Sequence, residues 1–272
     1  MQAIAGAVRD TGPAADYSRF HAAVAHAQLT QWLAELAPRR GADEGPSPLR
    51  PAEPAELAPR ERTPLLIDVS GAGARAAEAA ARAGHSVLRV VEPGMPPPAA
   101  GGGAAGRLAA IVADGTGLEF LADGCADGVI AEDRTLSRRL AAEAFVADIA
   151  RVLRPGGQVL ACVDSLNLGM AVLAEQHHWP HLADVPNADV VLVPWPDGTI
   201  TRCYGAEQLR ELFTGNGLAV RWIRPRTVFS PRTVSYLLAR DPRSFGRLVS
   251  AELSARADDS VGAQLIICAR RR

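Results

Sequence analysis

The chain contains no lysine: all 29 of its basic residues are arginine. That absence excludes a Walker-type phosphate lysine, Schiff-base catalysis and a lysine general base. A charge excess of either sign is also missing. Thirty acidic residues against 29 basic ones leave a formal net charge of -1, so no global positive field argues for DNA or RNA as a partner. Cysteine is sparse, and Cys125, Cys162, Cys203 and Cys268 form no Cys-x-x-Cys pair. Their scatter reads as reduced, buried thiols. No positively charged start followed by an apolar core marks a signal peptide, and no apolar run is long enough to span a membrane. Together these absences predict a soluble, cytoplasmic protein. The abundance of alanine, arginine, glycine and proline fits a high-GC bacterial gene.

What is present is apolar material, 48% of the chain, ample for a core in one large domain or one domain with appendages. The organising stretch is 64–92. Leu65, Leu66 and Ile67 form an apolar run closed by Asp68, followed by a small-residue turn, Ser70-Gly71-Ala72-Gly73-Ala74. An alanine-rich helical segment over 75–82 ends before Gly84, and a β-branched run over 87–91 ends at Glu92. Strand, turn, helix, strand and acid make a nucleotide-binding βαβ unit, in which the turn lets backbone approach a ligand and Glu92 can accept ribose hydroxyls.

Further segments follow in order. An apolar strand over 108–113 ends at Asp114, and another over 128–131 ends at Glu132 and Asp133. An amphipathic helix is expected over 137–153, with Leu140, Phe145, Ile149 and Leu153 inward, then the turn Arg154-Pro155-Gly156-Gly157 and a strand over 158–163. Asp197-Gly198 between apolar runs predicts a hairpin over 189–204. A helix over 205–213 leads to a strand over 218–223, helical sequence over 233–256 and a buried last strand over 264–269. Upstream, 14–37 reads as one amphipathic helix, whereas 38–64, with its many prolines, has no sustained period. The low-complexity stretch 93–106 reads as a surface insertion or a flap.

These motifs resemble the class I S-adenosylmethionine-dependent methyltransferases. Their first motif usually reads Asp-x-Gly-x-Gly-x-Gly; counted from Asp68, the glycine places here hold Ser70, Ala72 and Ala74, with Gly71 and Gly73 between them. The motif is thus degenerate, and Glu92 stands one residue beyond the usual acid. The segments around Asp114 and the phrase ARVLRPGGQVL match the family more closely. The resemblance implies a Rossmann-like three-layer α/β sandwich, with a seven-stranded mostly parallel sheet and a reversed final strand. It also implies a helical cover at 1–37, a linker at 38–63 and a methyltransferase-like domain at 64–272 carrying a lid-like insertion at about 166–204. S-adenosyl-L-methionine would lie across the strand ends, with Asp68, Ser70, Gly71 and Gly73 near its methionine part, Glu92 at the ribose, and Asp114 and Gly115 at the adenine. Glu132 has two readings, contact with the methionine part or the start of a helix.

His177, His178 and His181 fall within five residues, too crowded and too poorly supported by other ligands for a metal site. His177 or His178 is the candidate base, or a solvated pair. Tyr17 and His21 are further candidates to line the cofactor site. Trp179, Trp195 and Tyr204 form an aromatic wall or core, and Arg221, Arg224, Arg226 and Arg232 an anion site or a solvated surface. The expected activity is methyl transfer to a small molecule. The altered first motif supports the alternative, a protein of this fold that no longer methylates. A nicotinamide dehydrogenase fits poorly, because the turn lacks Gly-x-Gly-x-x-Gly.

Overall fold

Alternation along the strands builds the layers. A computed structural model of the chain describes residues 13–36, 64–71, 75–94, 106–113, 117–185, 188, 190–195, 197–255 and 261–272. The linker at 38–63 and the residues Gly73, Asp114 and Gly115 lie outside the described residues, as does most of the stretch 93–106. Strands β1 (Leu65–Asp68), β2 (Ser86–Val91), β3 (Arg107–Val112), β4 (Ala126–Ala131) and β5 (Leu153–Ser165) run parallel, in the order β3-β2-β1-β4-β5. The last strand, β9 (Gln264–Arg271), lies antiparallel between β5 and β8 (Leu218–Arg226). The expected seven-stranded α/β sheet with its reversed final strand is therefore present. A hairpin of β6 (Val191–Pro194) and β7 (Ile200–Tyr204) joins β5 at its carboxyl end through the pairs Asp164↔Cys203 and Ser165↔Tyr204.

Neighbouring residues of each central strand face opposite sides of the sheet. Leu66, Ile130, Leu160 and Ile266 pack with α1 (Pro13–Leu36) and α2 (Ala76–Arg82). Ile67, Val129, Val159 and Ile267 pack on the other side with α3 (Ala142–Val152) and α6 (Ala206–Gly215). Both faces are covered, as a parallel sheet requires. Gly128 permits the close approach of α1: a Cβ there would stand 2.9 Å from Leu66 Cδ2 and 3.1 Å from Trp32 Cη2. Gly156, at φ 82°, makes a turn within the first residues of β5, where the register against β4 jumps from Ala126↔Leu153 to Gly128↔Gln158.

The amino-terminal half of α1 extends past the sheet. There Phe20 and Val24 pack on α7 (Pro231–Arg240) and α8 (Phe245–Leu253), which together make up most of the stretch expected to be helical over 233–256. The helix expected from 137 begins only at Ala142. Ser137 O accepts from Arg202 N at 2.7 Å instead of from a helical N–H, Ala141 has ψ 57°, outside the helical range, and Leu140 is 59% exposed rather than inward. A short helix, α5 (Trp179–Asp184), follows α4 (Leu166–Glu175) where the residues read only as a cluster of histidines. Among the described residues no helix is long and apolar enough to cross a membrane.

Candidate functional site

Strand β1 is followed by β2 on one side of it and flanked by β4 on the other, so the chain reverses direction of winding at the β1/β4 boundary. Open α/β sheets bind ligands at such a boundary, outside the carboxyl ends of the strands. Two turns face each other there, 69–71 after β1 and 132–137 after β4.

Backbone bonds hold the two turns together. Val69 N donates to Ile130 O (2.9 Å) and Gly71 N to Glu132 O (3.3 Å), while Ser70 Oγ accepts from Glu132 N (2.9 Å). Asp68 lies wholly inside, accepting from Ser70 N at 3.0 Å, with Arg89 Nε 3.9 Å from its other oxygen. Burial pushes the Asp68 carboxyl above its ordinary range, against the bonds from Ser70 and the charge of Arg89. It shapes the turn from beneath. Gly71 brings its α-carbon close to Asp133: a Cβ would stand 2.5 Å from Asp133 Oδ2.

The carboxylate of Glu132 is engaged by the protein. Arg226, 1% exposed, donates from Nη1 to Glu132 Oε2 (2.7 Å), from Nη2 to Oε1 (2.9 Å) and from Nε to Gln28 Oε1 (2.7 Å). Burial alone would lower the guanidinium's pKa, but the Glu132 charge more than reverses this. The arginines grouped in the sequence thus separate. Arg226 is core, Arg224 bonds Gln31 of α1 and Arg221 meets Glu35 and Gln158.

On the β5 side, Arg134 donates from Nε (2.9 Å) and Nη2 (2.8 Å) to Asp164 Oδ2. Its guanidinium lies 4.6 Å from the centroid of the Trp195 ring, whose Nε1 donates to Thr201 Oγ1 (2.7 Å). Asp164 N donates to Ser137 Oγ (2.8 Å) and Arg202 N to Ser137 O (2.7 Å), which ties Ser137 to β5 and β7. Among the described residues, Asp164 Oδ1 and the Tyr204 hydroxyl are buried without hydrogen-bond partners. Burial pushes the Asp164 carboxyl up, opposed by Arg134.

Glu92 is exposed just past β2. Arg139, from the turn after β4, stacks 3.7 Å from the Phe145 centroid; burial lowers its guanidinium and Glu92 opposes that shift. His177 and His178 lie apart from this edge, at the far end of α4. His177 has φ 59° and its Nδ1 is 3.1 Å from Glu175 O, while His178 precedes α5 with its ring 5.6 Å from that of His181. Trp179 is 57% exposed beside His177, away from Trp195 and Tyr204. Among the described residues no group of three or more His, Cys, Asp or Glu side chains is placed to hold a metal ion.

A cleft of about 400 Å³ opens between α1 and α2. Its floor is Glu132 and Asp133; Ala22, Ala25 and Leu29 form one wall, and Ala76 and Ala79 the other. His21, His26, Arg75 and Arg82 complete the lining. Tyr17 instead packs beside Phe20 against α7 and α8. The sequence offered two signals for this cleft, the small residues of both helices and the paired arginines of α2.

No protein-family model and no curated protein matches the chain. Solved structures do. A SAM-dependent methyltransferase from Methanosarcina mazei superposes with a TM-score of 0.51 at 14% identity, over 77% of this chain and 92% of that one. The 1,6-didemethyltoxoflavin-N1-methyltransferase of Burkholderia thailandensis, solved with 1,6-didemethyltoxoflavin and S-adenosylhomocysteine, gives 0.50 at 16% identity, over 100% and 93%. Sheet order, the reversed β9 and these superpositions agree: the chain has the Rossmann-like fold of the class I S-adenosylmethionine-dependent methyltransferases.

Proposed function

We propose that the protein is an S-adenosylmethionine-dependent methyltransferase acting on a small-molecule acceptor. The observation that carries this reading is the pairing of the 69–71 and 132–137 turns at the sheet's switch point, where Gly71 adds no side chain of its own. The residues present fit the cofactor. Gly71 gives backbone access for the methionine part, Ser70 and Asp68 hold that turn in shape, and the exposed Glu92 is free to accept ribose hydroxyls. Asp114 and Gly115 would meet the adenine and Gly73 would extend the turn. Glu132 would act through its backbone, because its carboxylate is held by Arg226.

Bound S-adenosylmethionine supplies a methyl group on a sulfonium that is already electrophilic. The protein's task is then to align the acceptor and exclude water, which supplies much of the rate of an in-line transfer. A base is needed only where the acceptor must lose a proton. His177 or His178 would fill that role for an acceptor reaching across the 166–204 segment, since the ten residues of α4 span about 15 Å. The Burkholderia neighbour, named for methylation of a small molecule, supports the acceptor class. So does a cleft whose volume falls in the usual range of roughly 300–1,000 Å³ for small-molecule pockets. Buried free thiols at Cys162, Cys203 and Cys268 fit a cytoplasmic setting.

A second reading, a protein of this fold that binds a small molecule without methylating it, is favoured by two contacts. Asp133 packs onto Gly71 and Arg226 occupies Glu132, so both acids beside the turn already have protein neighbours. Calorimetric titration with S-adenosylmethionine, S-adenosylhomocysteine and NAD separates the readings. Methyltransfer predicts micromolar binding of both sulfur ligands and none of NAD. In Gly71→Ala that affinity should fall by about tenfold or more, while thermal unfolding changes little, because the Asp133 side chain can rotate away. A folded protein that binds neither sulfur ligand would sink the methyltransferase reading in favour of the second.

A further inference from the structure

The cleft between α1 and α2 has a distinctive chemistry. Its walls are short and apolar, Ala22, Ala25 and Leu29 facing Ala76 and Ala79. Its rim is cationic. Arg75 caps the amino end of α2 and Arg82 is its last residue; both line the cleft, about 10 Å apart along the helix axis. Both are exposed, and among the described residues neither has an ion-pair or hydrogen-bond partner. His21 and His26 add two imidazoles from α1. The negative charges at the floor do not cancel this rim: Glu132 is neutralised by Arg226 at 2.7 and 2.9 Å, and Asp133 lies 4.0 Å from Arg138. The result is an apolar slot with two exposed guanidinium groups at its mouth and, at its floor, the turn after β4, which is bonded to the 69–71 turn where the methyl donor is placed above.

We infer that this cleft takes the methyl acceptor and that the acceptor is an organic anion, a carboxylate or phosphate ester on an apolar body; the role as acceptor rests on the methyltransferase reading, the anion selectivity does not. Guanidinium groups bind carboxylate and phosphate through paired N–H donors. The alanines leave room for a flat or extended hydrocarbon body, whose burial supplies the remaining affinity. An amide or alcohol of the same shape leaves the arginines unpaired and binds less well.

One other source could supply the anion, the carboxylate of the cofactor's own methionine part, and the test separates the two. The full-length protein is titrated with hexanoate and with hexanamide at millimolar concentrations, with the histidine ring signals followed by NMR, in the absence and presence of saturating S-adenosylhomocysteine. Hexanoate should shift His21 and His26 in a saturable way, hexanamide should not, and the response should persist with S-adenosylhomocysteine bound. Arg75→Gln with Arg82→Gln should weaken hexanoate about tenfold. Equal responses to the two probes, no response to hexanoate, or an unchanged affinity in the double variant would overturn the anion site. Expulsion of hexanoate by S-adenosylhomocysteine would assign the arginines to the cofactor and overturn the acceptor site. Failure of S-adenosylhomocysteine to bind removes the role as acceptor, while the two probes still decide on the anion site.

Discussion

Two ion pairs flank the turn after β4, and they are built differently. Glu132 and Arg226 are both within the core, joined by two parallel hydrogen bonds, with the third guanidinium nitrogen on Gln28. Arg134 places two donors on one oxygen of Asp164, the other oxygen has no hydrogen bond among the described residues, and a quarter of the arginine is exposed beside Trp195. The first pair has its donors and acceptors matched across three separate elements, α1, β8 and the β4 turn. The second has capacity to spare. Matched burial makes a clamp, whereas incomplete matching at a strand end leaves groups that can rearrange around a ligand.

The contrast breaks most sharply at Arg226. Arg226→Ala strands Glu132 and Gln28 in the core and should cost about 3–5 kcal/mol in urea unfolding; a loss under about 1 kcal/mol would show that the pair is no clamp. Arg134→Ala should cost less, about 1–3 kcal/mol at neutral pH, since water can reach the vacated space. Its pH dependence sharpens the difference. Burial raises the folded pKa of Asp164 above 3.8. A carboxyl so raised contributes stability that is complete below that ordinary value and is lost as pH rises through the folded one. Removing Arg134 takes away the opposing charge, so the loss should continue to higher pH, and the gap between variant and parent should widen from pH 4 to pH 7. A gap constant with pH would mean that Asp164 does not feel Arg134. The smallest effect belongs to Tyr204→Phe, which deletes a buried hydroxyl without a partner and should change stability by less than about 1 kcal/mol, in the stabilising direction if at all.

Much of the frame was legible in the residues. The strands over 64–92 and 126–165 announce themselves by apolar runs ending in acids, and Arg154-Pro155-Gly156-Gly157 forces a turn whatever surrounds it. Asp197-Gly198 marked the hairpin for the same local reason. Such signals are carried by neighbours in sequence. The Glu132–Arg226–Gln28 clamp is not, because its members are separated by 94 and 198 positions. Arg226 looked like one of a surface group, since strand β8 continues through Pro225 and buries it. The delayed start of α3 has a similar origin. Phe145, Ile149 and Leu153 have helical spacing, but upstream of them Ser137 O is taken by Arg202 N of β7, which leaves it no place in a helical ladder. Only the assembled strand ends supply that competition.

The hydrogen bond from Arg226 to Gln28 also bears on traffic through the molecule. Helix α1 forms one wall of the cleft, and at Gln28 it is fastened to a charge that has no water to turn to. Swinging that wall outward would expose the pair or break it, at a cost no binding event repeats cheaply thousands of times. Helix α1 is therefore a fixed jamb. Exchange with a molecule in the cleft would then run along the mouth beside it, where the exposed Arg75 and Arg82 stand, and its speed would be set by how readily those two side chains step aside.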